Sequence, residues 1–422
     1  MPARPSAPIA ASLSALLLTL CPATAHSGGW HGEGNAGVAA DGDYPTQWSR
    51  DEGVLWKAPL SGRGASTPCV SGDRVFLTDE IEGQNGVLCL SLNDGSELWR
   101  GTVGQLTAPK HRKASGANPS PVTDGERVYA YFKSGDLAAF TVEGDEVWSV
   151  NIQDRYGKDT LWWDLGTSPV RTADHLVVTV MQTGPSFLVA LDPATGDEVW
   201  KTDRQLGAPE EAAQSYSTPA VVTHDGLEQL ITVGADHVTA HAAVDGRELW
   251  RVGGLNPTGD GYFRSISSAA VADGIAVAPY ARGESVTGVR LGGGGDVTDS
   301  HVVWSREGIG SDVPTPVVHN GRVYLLGDKG RTSGRLWCLD LKTGEEVWTT
   351  ELPKSREHFS SSPVLAGENL YLTREDGATF VVSINDQKLI ATCELNEPTY
   401  ATPVFADNTI LLRTGPHLWR LK

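Results

Sequence analysis

The sequence predicts an all-β protein, an eight-bladed β-propeller built from four-stranded antiparallel blades. Three observations predict this fold: a repeated segment that ends in tryptophan, a shorter marker ahead of each copy, and turn signals between short apolar runs. The chain has 422 residues, which exceeds the size at which a single core stops growing, roughly 250–300 residues. A ring of repeats distributes the core between neighbouring units and suits such a chain.

The repeated segment is clearest at residues 190–200, ALDPATGDEVW, and at residues 338–348, CLDLKTGEEVW. A degenerate copy at 381–391 keeps Asp386 but has Gln387 in place of glycine. Each tryptophan is expected to end a fourth strand and lie flat between two blades, where it buries ~150–250 Å². We therefore assign these residues a structural role. They are Trp56, Trp99, Trp148, Trp200, Trp250, Trp304 and Trp348.

The second marker is a small hydroxyl residue followed by proline, which is tolerated at the start of a strand. Turns such as Asn320-Gly321 follow it and indicate a hairpin. The eight markers predict eight blades; discounting the one without proline, or the degenerate copy, would leave seven. They are Thr67-Pro68, Ser120-Pro121, Ser168-Pro169, Thr218-Pro219, Ser268-Ala269, Thr315-Pro316, Ser362-Pro363 and Thr402-Pro403.

The two ends of the chain complement each other. The marker at Thr402 lies too close to the C-terminus for a complete blade, and residues 54–56 form a fragment without a unit of its own. Adding this fragment to the C-terminal strands completes the eighth blade and closes the ring, which removes exposed sheet edges. We therefore assign residues 54–422 to the propeller and residues 26–53 to an N-terminal extension.

The A-x-D-x-x-T-G-x-x-x-W pattern resembles the repeat of the quinoprotein (pyrroloquinoline quinone, PQQ) alcohol dehydrogenase-like propellers, which include the BamB-type lipoprotein of outer-membrane β-barrel assembly. The resemblance covers about residues 54–422, and Trp30-His31-Gly32 is similar to the opening of many secreted PQQ-like proteins. WD40 and kelch propellers are disfavoured because their signatures do not recur. The resemblance implies a fold, whereas function depends on the site.

Residues 1–25 are expected to form a signal peptide. Arg4 precedes an apolar run at 10–20, and Ala23-Thr24-Ala25 fits the cleavage pattern. Cleavage after Ala25 is favoured over lipidation at Cys21, because Leu20 stands where a small residue is preferred. These features predict a periplasmic or secreted protein, and no later apolar run is long enough to span a membrane.

Charge and cysteine content restrict the function further. The net charge of −18 repels phosphate backbones, which argues against nucleic acid. Cys69, Cys89, Cys338 and Cys393 show no metal-ligand spacing, so no metal site is predicted. A Cys69–Cys89 disulfide is conceivable in an exported protein, but the repeat places both on non-neighbouring strands of one blade. Four buried thiols are the favoured interpretation, in a chain expected to be monomeric.

Binding residues are expected on the long connections between blades, which should gather at one mouth of the central channel. These connections span 101–117, 151–166, 201–216, 251–266, 305–313 and 349–360. They carry aromatic and arginine side chains of the kind that anchor interfaces, although rim solvation and loop packing would also explain them. The candidates are Arg112, Trp162, Trp163, Asp164, Arg264, Arg356 and His358.

The sequence favours a binding protein over an enzyme. The expected partner is a protein or envelope polymer, and no catalytic residue is assigned. The alternative is a PQQ-dependent dehydrogenase, in which Trp162-Trp163-Asp164 would supply a stacking ring and a base. The resemblance implies that such an enzyme needs Ca²⁺ ligands and commonly an adjacent cysteine pair, and this sequence has no adjacent cysteines. PQQ with calcium is therefore not expected.

Overall fold

A computed structural model describes Met1 and residues 30–62 and 64–422. It contains eight antiparallel sheets that follow one another around a ring, which confirms the predicted eight-bladed propeller and excludes the seven-bladed alternative. The predicted signal peptide lies outside the described residues. Within the described part of the chain, no helix is long and apolar enough to cross a membrane.

The strands follow the repeat. The first half of the chain contains β1 (Val54–Pro59); blade 1, β2 (Cys69–Ser71), β3 (Arg74–Ile81), β4 (Gln84–Ser91) and β5 (Glu97–Val103); blade 2, β6 (Val122–Thr123), β7 (Arg127–Tyr131), β8 (Asp136–Thr141) and β9 (Glu146–Asn151); blade 3, β10 (Val170–Arg171), β11 (Leu176–Val180), β12 (Phe187–Leu191) and β13 (Glu198–Asp203); and blade 4, β14 (Ala220–His224), β15 (Leu227–Gly234), β16 (His237–Ala242) and β17 (Glu248–Val252).

The second half continues the pattern. It contains blade 5, β18 (Ala270–Ala272), β19 (Ile275–Tyr280), β20 (Ser285–Arg290) and β22 (Val302–Glu307), with β21 (Gly295–Asp296) between the last two; blade 6, β23 (Val317–His319), β24 (Arg322–Leu326), β25 (Arg335–Asp340) and β26 (Glu346–Glu351); blade 7, β27 (Val364–Ala366), β28 (Asn369–Thr373), β29 (Ala378–Ser383) and β30 (Lys388–Glu394); and blade 8, β31 (Val404–Ala406), β32 (Thr409–Arg413) and β33 (His417–Leu421).

Helices are short and lie in the connections. They are α1 (Ile152–Tyr156), α2 (Thr298–His301) and the 3₁₀ turns Glu33–Asn35, Glu210–Ala213, Ala281–Gly283 and Gly330–Thr332.

The ring closes between the two ends of the chain, as the sequence predicts. Strand β1 pairs antiparallel with β33, with Val54 opposite Leu421 and Trp56 opposite Arg420. Blade 8 therefore takes its outermost strand from the front of the chain and its three inner strands from the end. The pairing supplies β33 with the neighbour that an open propeller would lack.

Five of the seven repeated tryptophans pack on a turn glycine of the next blade. Trp200 lies against Gly246, and its Nε1–H donates to the Ala243 carbonyl at 3.1 Å. A Cβ atom on Gly246, whose φ is +71°, would stand 2.3 Å from the Trp200 ring, so only glycine fits this turn. The repeated tryptophan and the repeated glycine are therefore two sides of one contact. The same contact joins Trp56 to Gly95, Trp99 to Gly144, Trp148 to Gly196 and Trp304 to Gly344.

Blade 5 departs from the pattern, because its turn is replaced by the glycine run at 292–295. From this run, β21 pairs in parallel with β17 and adds a fifth strand to blade 4, with Gly295 opposite Trp250. Trp250 is fully buried there, but among the described residues its Nε1–H has no hydrogen-bond partner. The added strand covers the outer edge of blade 4 where the usual turn is missing.

The hydroxyl residues of the second marker form a closed ring of hydrogen bonds around the channel. The backbone N–H of each marker donates to the side-chain oxygen of the next, and the last bond runs from Thr402 to Thr67 at 3.1 Å. Ser268 keeps this role without the proline, because it accepts from Thr218 N–H at 2.9 Å. The other six bonds measure 2.9–3.1 Å.

The N-terminal extension enters the channel, which the sequence does not predict. Residues 30–40, here named the channel segment, contact the innermost strands of several blades. Its backbone pairs in parallel with β27, where Leu365 N–H donates to Gly37 O and Ala39 N–H donates to Leu365 O, both at 2.8 Å. The Asn35 amide donates to the Thr218 carbonyl at 3.0 Å. The segment therefore ties blade 7 to blade 4 across the channel.

His31 anchors the channel segment from within. Its ring is buried and stacks on Trp30 at 4.9 Å, while Nδ1 and Nε2 each lie 2.8 Å from a carbonyl oxygen, of Asn35 and Pro363. Burial lowers the pKa of His31. Trp30 lines a cavity on either side, so the segment divides the channel in two.

The four described cysteines are free and buried, which confirms the favoured interpretation. Cys69 lies on β2 and Cys89 on β4, with β3 between them. Burial raises the pKa of the Cys89 and Cys338 thiols to about 12, which disfavours the thiolate form at neutral pH.

Replacing Trp200 by alanine should lower the free energy of unfolding by ~3–5 kcal/mol, because the contact with Gly246 and the bond to Ala243 are lost. Replacing Trp162, which is 47% exposed, by alanine should lower the free energy of unfolding far less. Chemical denaturation monitored by circular dichroism measures both. Equal losses would show that Trp162 belongs to the core.

Replacing Ser268 by alanine should cost ~1–3 kcal/mol, because the buried Thr218 N–H is left without an acceptor. The Ser268→Thr variant keeps the oxygen and serves as the matched control. Denaturant midpoints compare the two. A Ser268→Ala variant as stable as Ser268→Thr would show that the hydroxyl ring does not support the fold.

Candidate functional site

One end of the ring, here named the loop face, carries a central cavity of about 490 Å³. Its floor is Trp30 together with the hydroxyl ring, and each of the six predicted connections contributes to its walls. The size and the mainly apolar walls are those of a binding pocket. The wall residues from these connections include His111, Lys113, Trp163, Asp164, Tyr216, Arg264, Ile266, Asp312, Val313, His358 and Phe359.

Asp164 joins two of the connections. Its buried carboxylate accepts the backbone N–H groups of Lys110 and His111 at 2.9–3.0 Å and forms an ion pair with the buried ammonium of Lys133. Lys133 also donates to the Ala108 carbonyl at 2.6 Å. These contacts occupy the carboxylate, so its geometry is that of a support for the loop at 101–117.

Glu211 lies on the connection after blade 3 and joins it to the connections after blades 2 and 4 and to the loop between β19 and β20 of blade 5. Its carboxylate is buried and accepts the Trp163 Nε1–H at 2.7 Å and the Arg282 guanidinium at 2.6 Å, with Arg264 at 3.8 Å. Arg282 also donates to the Tyr262 carbonyl at 2.6 Å. Glu211 therefore fixes the loops that display the aromatic side chains of this face.

Three of these aromatic side chains form an exposed surface, here named the aromatic ledge. Trp162 is 47% exposed, Trp163 44% and Tyr262 55%. The Trp162 and Tyr262 rings lie 6.4 Å apart, and the Trp163 ring lies 5.8 Å from His111 in an edge-on arrangement. Large aromatic rings that stay exposed on fixed loops are typical of binding surfaces.

Asp312 is held as a carboxylate by two cations. Arg264 donates two hydrogen bonds to it, at 2.8 and 3.1 Å, and Lys329 donates a third at 2.7 Å. Burial works to raise the pKa of Asp312, but Arg264 and Lys329 outweigh it and hold that pKa below the ordinary value. The pair Arg264–Asp312 joins the connection of blade 4 to that of blade 5.

Asp328 has the opposite electrostatic environment. Its carboxyl is buried in the cavity wall, where it accepts the Asp312 backbone N–H at 2.9 Å. Burial, reinforced by the neighbouring Asp312 charge, raises the pKa of Asp328 to about 6. A perturbed carboxyl in a cavity marks a candidate site.

Lys113 and Glu375 close the loop face on the side of blades 7, 8 and 1. Lys113 Nζ lies 2.6 and 2.8 Å from the two carboxylate oxygens of Glu375, which also accepts the Ser360 hydroxyl at 2.6 Å. The Glu375 backbone N–H donates to the His358 carbonyl at 3.0 Å. The loops at 101–117 and 349–360, far apart in sequence, are thereby joined.

The predicted site residues divide into two groups. Trp163, Asp164, Arg264 and His358 line the cavity. The other three, Arg112, Trp162 and Arg356, are exposed and stand outside its lining.

Asp328 and Glu375 were missed by sequence reasoning. They follow the second strands of blades 6 and 7, whereas the predicted connections all run from a fourth strand to the next blade. In an antiparallel four-stranded blade, both kinds of connection emerge at the same end of the sheet. This topological rule was the signal that could have found them.

Three of the four carboxylates that line the cavity are paired with a cationic side chain. Asp164, Asp312 and Glu375 are each engaged by a lysine or arginine. Among the residues that the structure describes, no group of three or more His, Cys, Asp or Glu side chains is placed to hold a metal ion.

Comparisons with known proteins agree with this fold. A protein-family model described as outer membrane protein assembly factor BamB matches residues 21–184, 143–391 and 332–420. A protein of Moranella endobia with that name is 24% identical over 353 residues, which are 82% of each chain. The crystal structure of BamB from Moraxella catarrhalis has a TM-score of 0.61 at 15% identity and covers 87% of this chain and 99% of its own.

A dehydrogenase also shares the architecture. A europium-containing methanol dehydrogenase has a TM-score of 0.69 at 11% identity, covering 93% of this chain and 90% of its own. Identities this low show the fold alone.

Replacing Asp328 by asparagine should stabilise the protein above pH 6 and remove one component of its pH dependence. Because the folded-state pKa is raised, the contribution of Asp328 is most favourable below pH ~4 and is lost as pH rises through about 6. The gain at pH 7.5 is at most roughly 3 kcal/mol, at about 1.4 kcal/mol per pKa unit. Thermal denaturation between pH 4 and 8 measures it.

Asp312→Asn provides the control of opposite sign. The folded-state pKa of Asp312 is lowered, so replacing this residue by asparagine should reduce stability at neutral pH. Identical behaviour of the two variants would contradict the assignment of Asp328.

Proposed function

Because the chain belongs to the family described as outer membrane protein assembly factor BamB, we propose that it is an exported, non-enzymatic propeller scaffold that binds a protein partner in the cell envelope. The relative from Moranella endobia has that name, and its alignment with this chain covers 82% of each sequence. A closed propeller holds its connections rigidly and presents them on one face, which suits a scaffold.

The aromatic ledge is the observation that carries this proposal. Trp162 and Tyr262 expose about half of their surface, although the loops beneath them are fixed by the buried Glu211. Large exposed rings on a preorganised support bind a partner without paying the cost of ordering loops. Tryptophan and tyrosine are also the residue types that dominate binding energy at interfaces.

The charged groups of the cavity support the same proposal. Asp164 and Glu211 each receive several hydrogen bonds that tie neighbouring connections together. Such groups act by holding loops in place, and a scaffold needs no reactive group. A dehydrogenase depends instead on a bound cofactor for its chemistry.

The proposal places the mature, monomeric chain in the periplasm or outside the cell. Its support is the sequence pattern around Arg4 and Ala25, together with the name of the relative, an outer membrane assembly factor.

The double variant Trp162→Ala/Trp163→Ala should lose capture of the partner from envelope extracts while keeping its melting temperature within a few degrees. Both rings are nearly half exposed, so their removal takes away interface area and little core. The buried Glu211 loses the Trp163 Nε1–H but keeps Arg282 at 2.6 Å and Arg264 at 3.8 Å. Affinity purification with quantitative mass spectrometry, run beside thermal denaturation, measures both properties.

Val199→Ala/Val347→Ala is the matched control, because these side chains are 49% and 46% exposed on fourth strands of blades 3 and 6. It should retain the partner. A scaffold also predicts no turnover with alcohols or sugars in a dye-linked assay after addition of PQQ and Ca²⁺. Robust turnover, or equal partner loss in both double variants, would contradict the proposal.

A further inference from the structure

Two connections of the loop face are positively charged in a chain whose net charge is −18. The connection at 105–116 contains Lys110, His111, Arg112 and Lys113 and no acidic residue. The connection at 352–360 contains Lys354, Arg356 and His358 beside a single acidic residue, Glu357. Clustering of cations on an acidic protein points to a local electrostatic role.

The structure brings these two connections together. Lys113 and Glu375 form an ion pair at 2.6 Å, and Glu375 is bonded to Ser360 through its side chain and to His358 through its backbone. Arg112 precedes Lys113, and Arg356 lies two residues before His358. One buried carboxylate therefore holds both basic segments on the same side of the channel mouth.

The cations that remain outside this bridge face solvent. Arg112 and Arg356 are exposed, the Lys354 side chain is 78% exposed and that of Lys110 is 44% exposed. Within the described residues, no carboxylate lies within ion-pair distance of either arginine, whereas Lys110 Nζ lies 3.9 Å from Asp159 and Lys354 Nζ lies 4.0 Å from Glu351. We name these four residues the cationic half of the loop face.

The cationic half adjoins the aromatic ledge. His111, in the middle of the basic connection, packs edge-on against Trp163 at 5.8 Å. The Lys110 ammonium donates to the Leu161 carbonyl at 2.5 Å, immediately before Trp162. One extended segment of a partner can therefore contact exposed cations and exposed rings together.

We propose that the cationic half is the docking surface for an acidic segment of the partner polypeptide, whose apolar side chains reach the aromatic ledge. This inference rests on the proposed function and names the chemistry of its partner. Carboxylates gain most opposite Arg112 and Arg356, which lack an ion-pair partner among the described residues. Such rim charges govern association rate and salt dependence more than packing does. A polypeptide supplies both carboxylates and apolar groups, which is why we favour it over a purely anionic polymer.

The test uses the full-length mature protein and a fluorescein-labelled peptide that alternates glutamate with leucine. Fluorescence anisotropy should show binding that weakens as salt is raised. Arg112→Glu/Arg356→Glu should reduce affinity by about tenfold or more and flatten the salt dependence. Arg112→Gln/Arg356→Gln should give a smaller loss of the same sign, and it keeps the proposal testable if charge reversal disturbs folding.

The matched control is Arg247→Glu/Arg290→Glu, which reverses two exposed arginines on blades 4 and 5 and changes the net charge equally. It should bind the peptide like the unmodified protein. An equal loss in the control, or no binding of the peptide, would overturn the proposal. So would binding of dextran sulfate or phosphatidylglycerol vesicles through Arg112 and Arg356 without binding of the peptide.

Partner capture from envelope extracts separates this inference from the proposed function. Loss of the partner in both Arg112→Glu/Arg356→Glu and Trp162→Ala/Trp163→Ala supports both. If the arginine variant retains the partner and the tryptophan variant loses it, only the proposal of an acidic segment is overturned. Retention in both variants overturns the proposed docking face itself.

Discussion

The hydrogen bond between the backbone N–H that opens one blade and the hydroxyl of the next is the constraint on which the rest of the ring depends. The chain of bonds runs through all eight blades and returns to its start at Thr402 and Thr67. It fixes the innermost strands and therefore the diameter of the channel. The floor of the cavity, the path of the channel segment and the separation of the connections all follow from that diameter.

The repeats allowed most of the fold to be predicted, because both markers are local signatures of an interaction between neighbours. The contact of Trp200 with Gly246 recurs between other blades, because the tryptophan ring occupies the space that a Cβ atom on the glycine would fill. Ser268 shows that the hydroxyl matters more than the proline beside it. The route of the extension through the channel could not be predicted, because Gly37 and Leu365 meet through a parallel pairing that has no periodic signal.

The site was predictable only as a set of loops. Sequence patterns indicate which segments meet at the mouth of the channel. They do not indicate which carboxylates form ion pairs inside the protein. Asp164 stands beside two tryptophans in the sequence, yet its contacts are with Lys133 and with the backbone of another connection. Ion pairs of this kind depend on side-chain positions between distant segments. Their effect is to leave rings and a few arginines as the exposed chemistry of the loop face.

The closure between β1 and β33 also imposes an order on folding. The strand that completes the last blade is the first to be synthesised, and its partner is the last. Trp56 can dock early, because its indole N–H donates to Leu92 in the blade that follows it directly. Strand β1 can therefore pack beside blade 1 before β33 has been synthesised, and the ring stays open until β33 pairs with β1. Pairing over so long a sequence separation is slow, so the unfinished edge is the part of this chain most exposed to mispairing on its way to the native state.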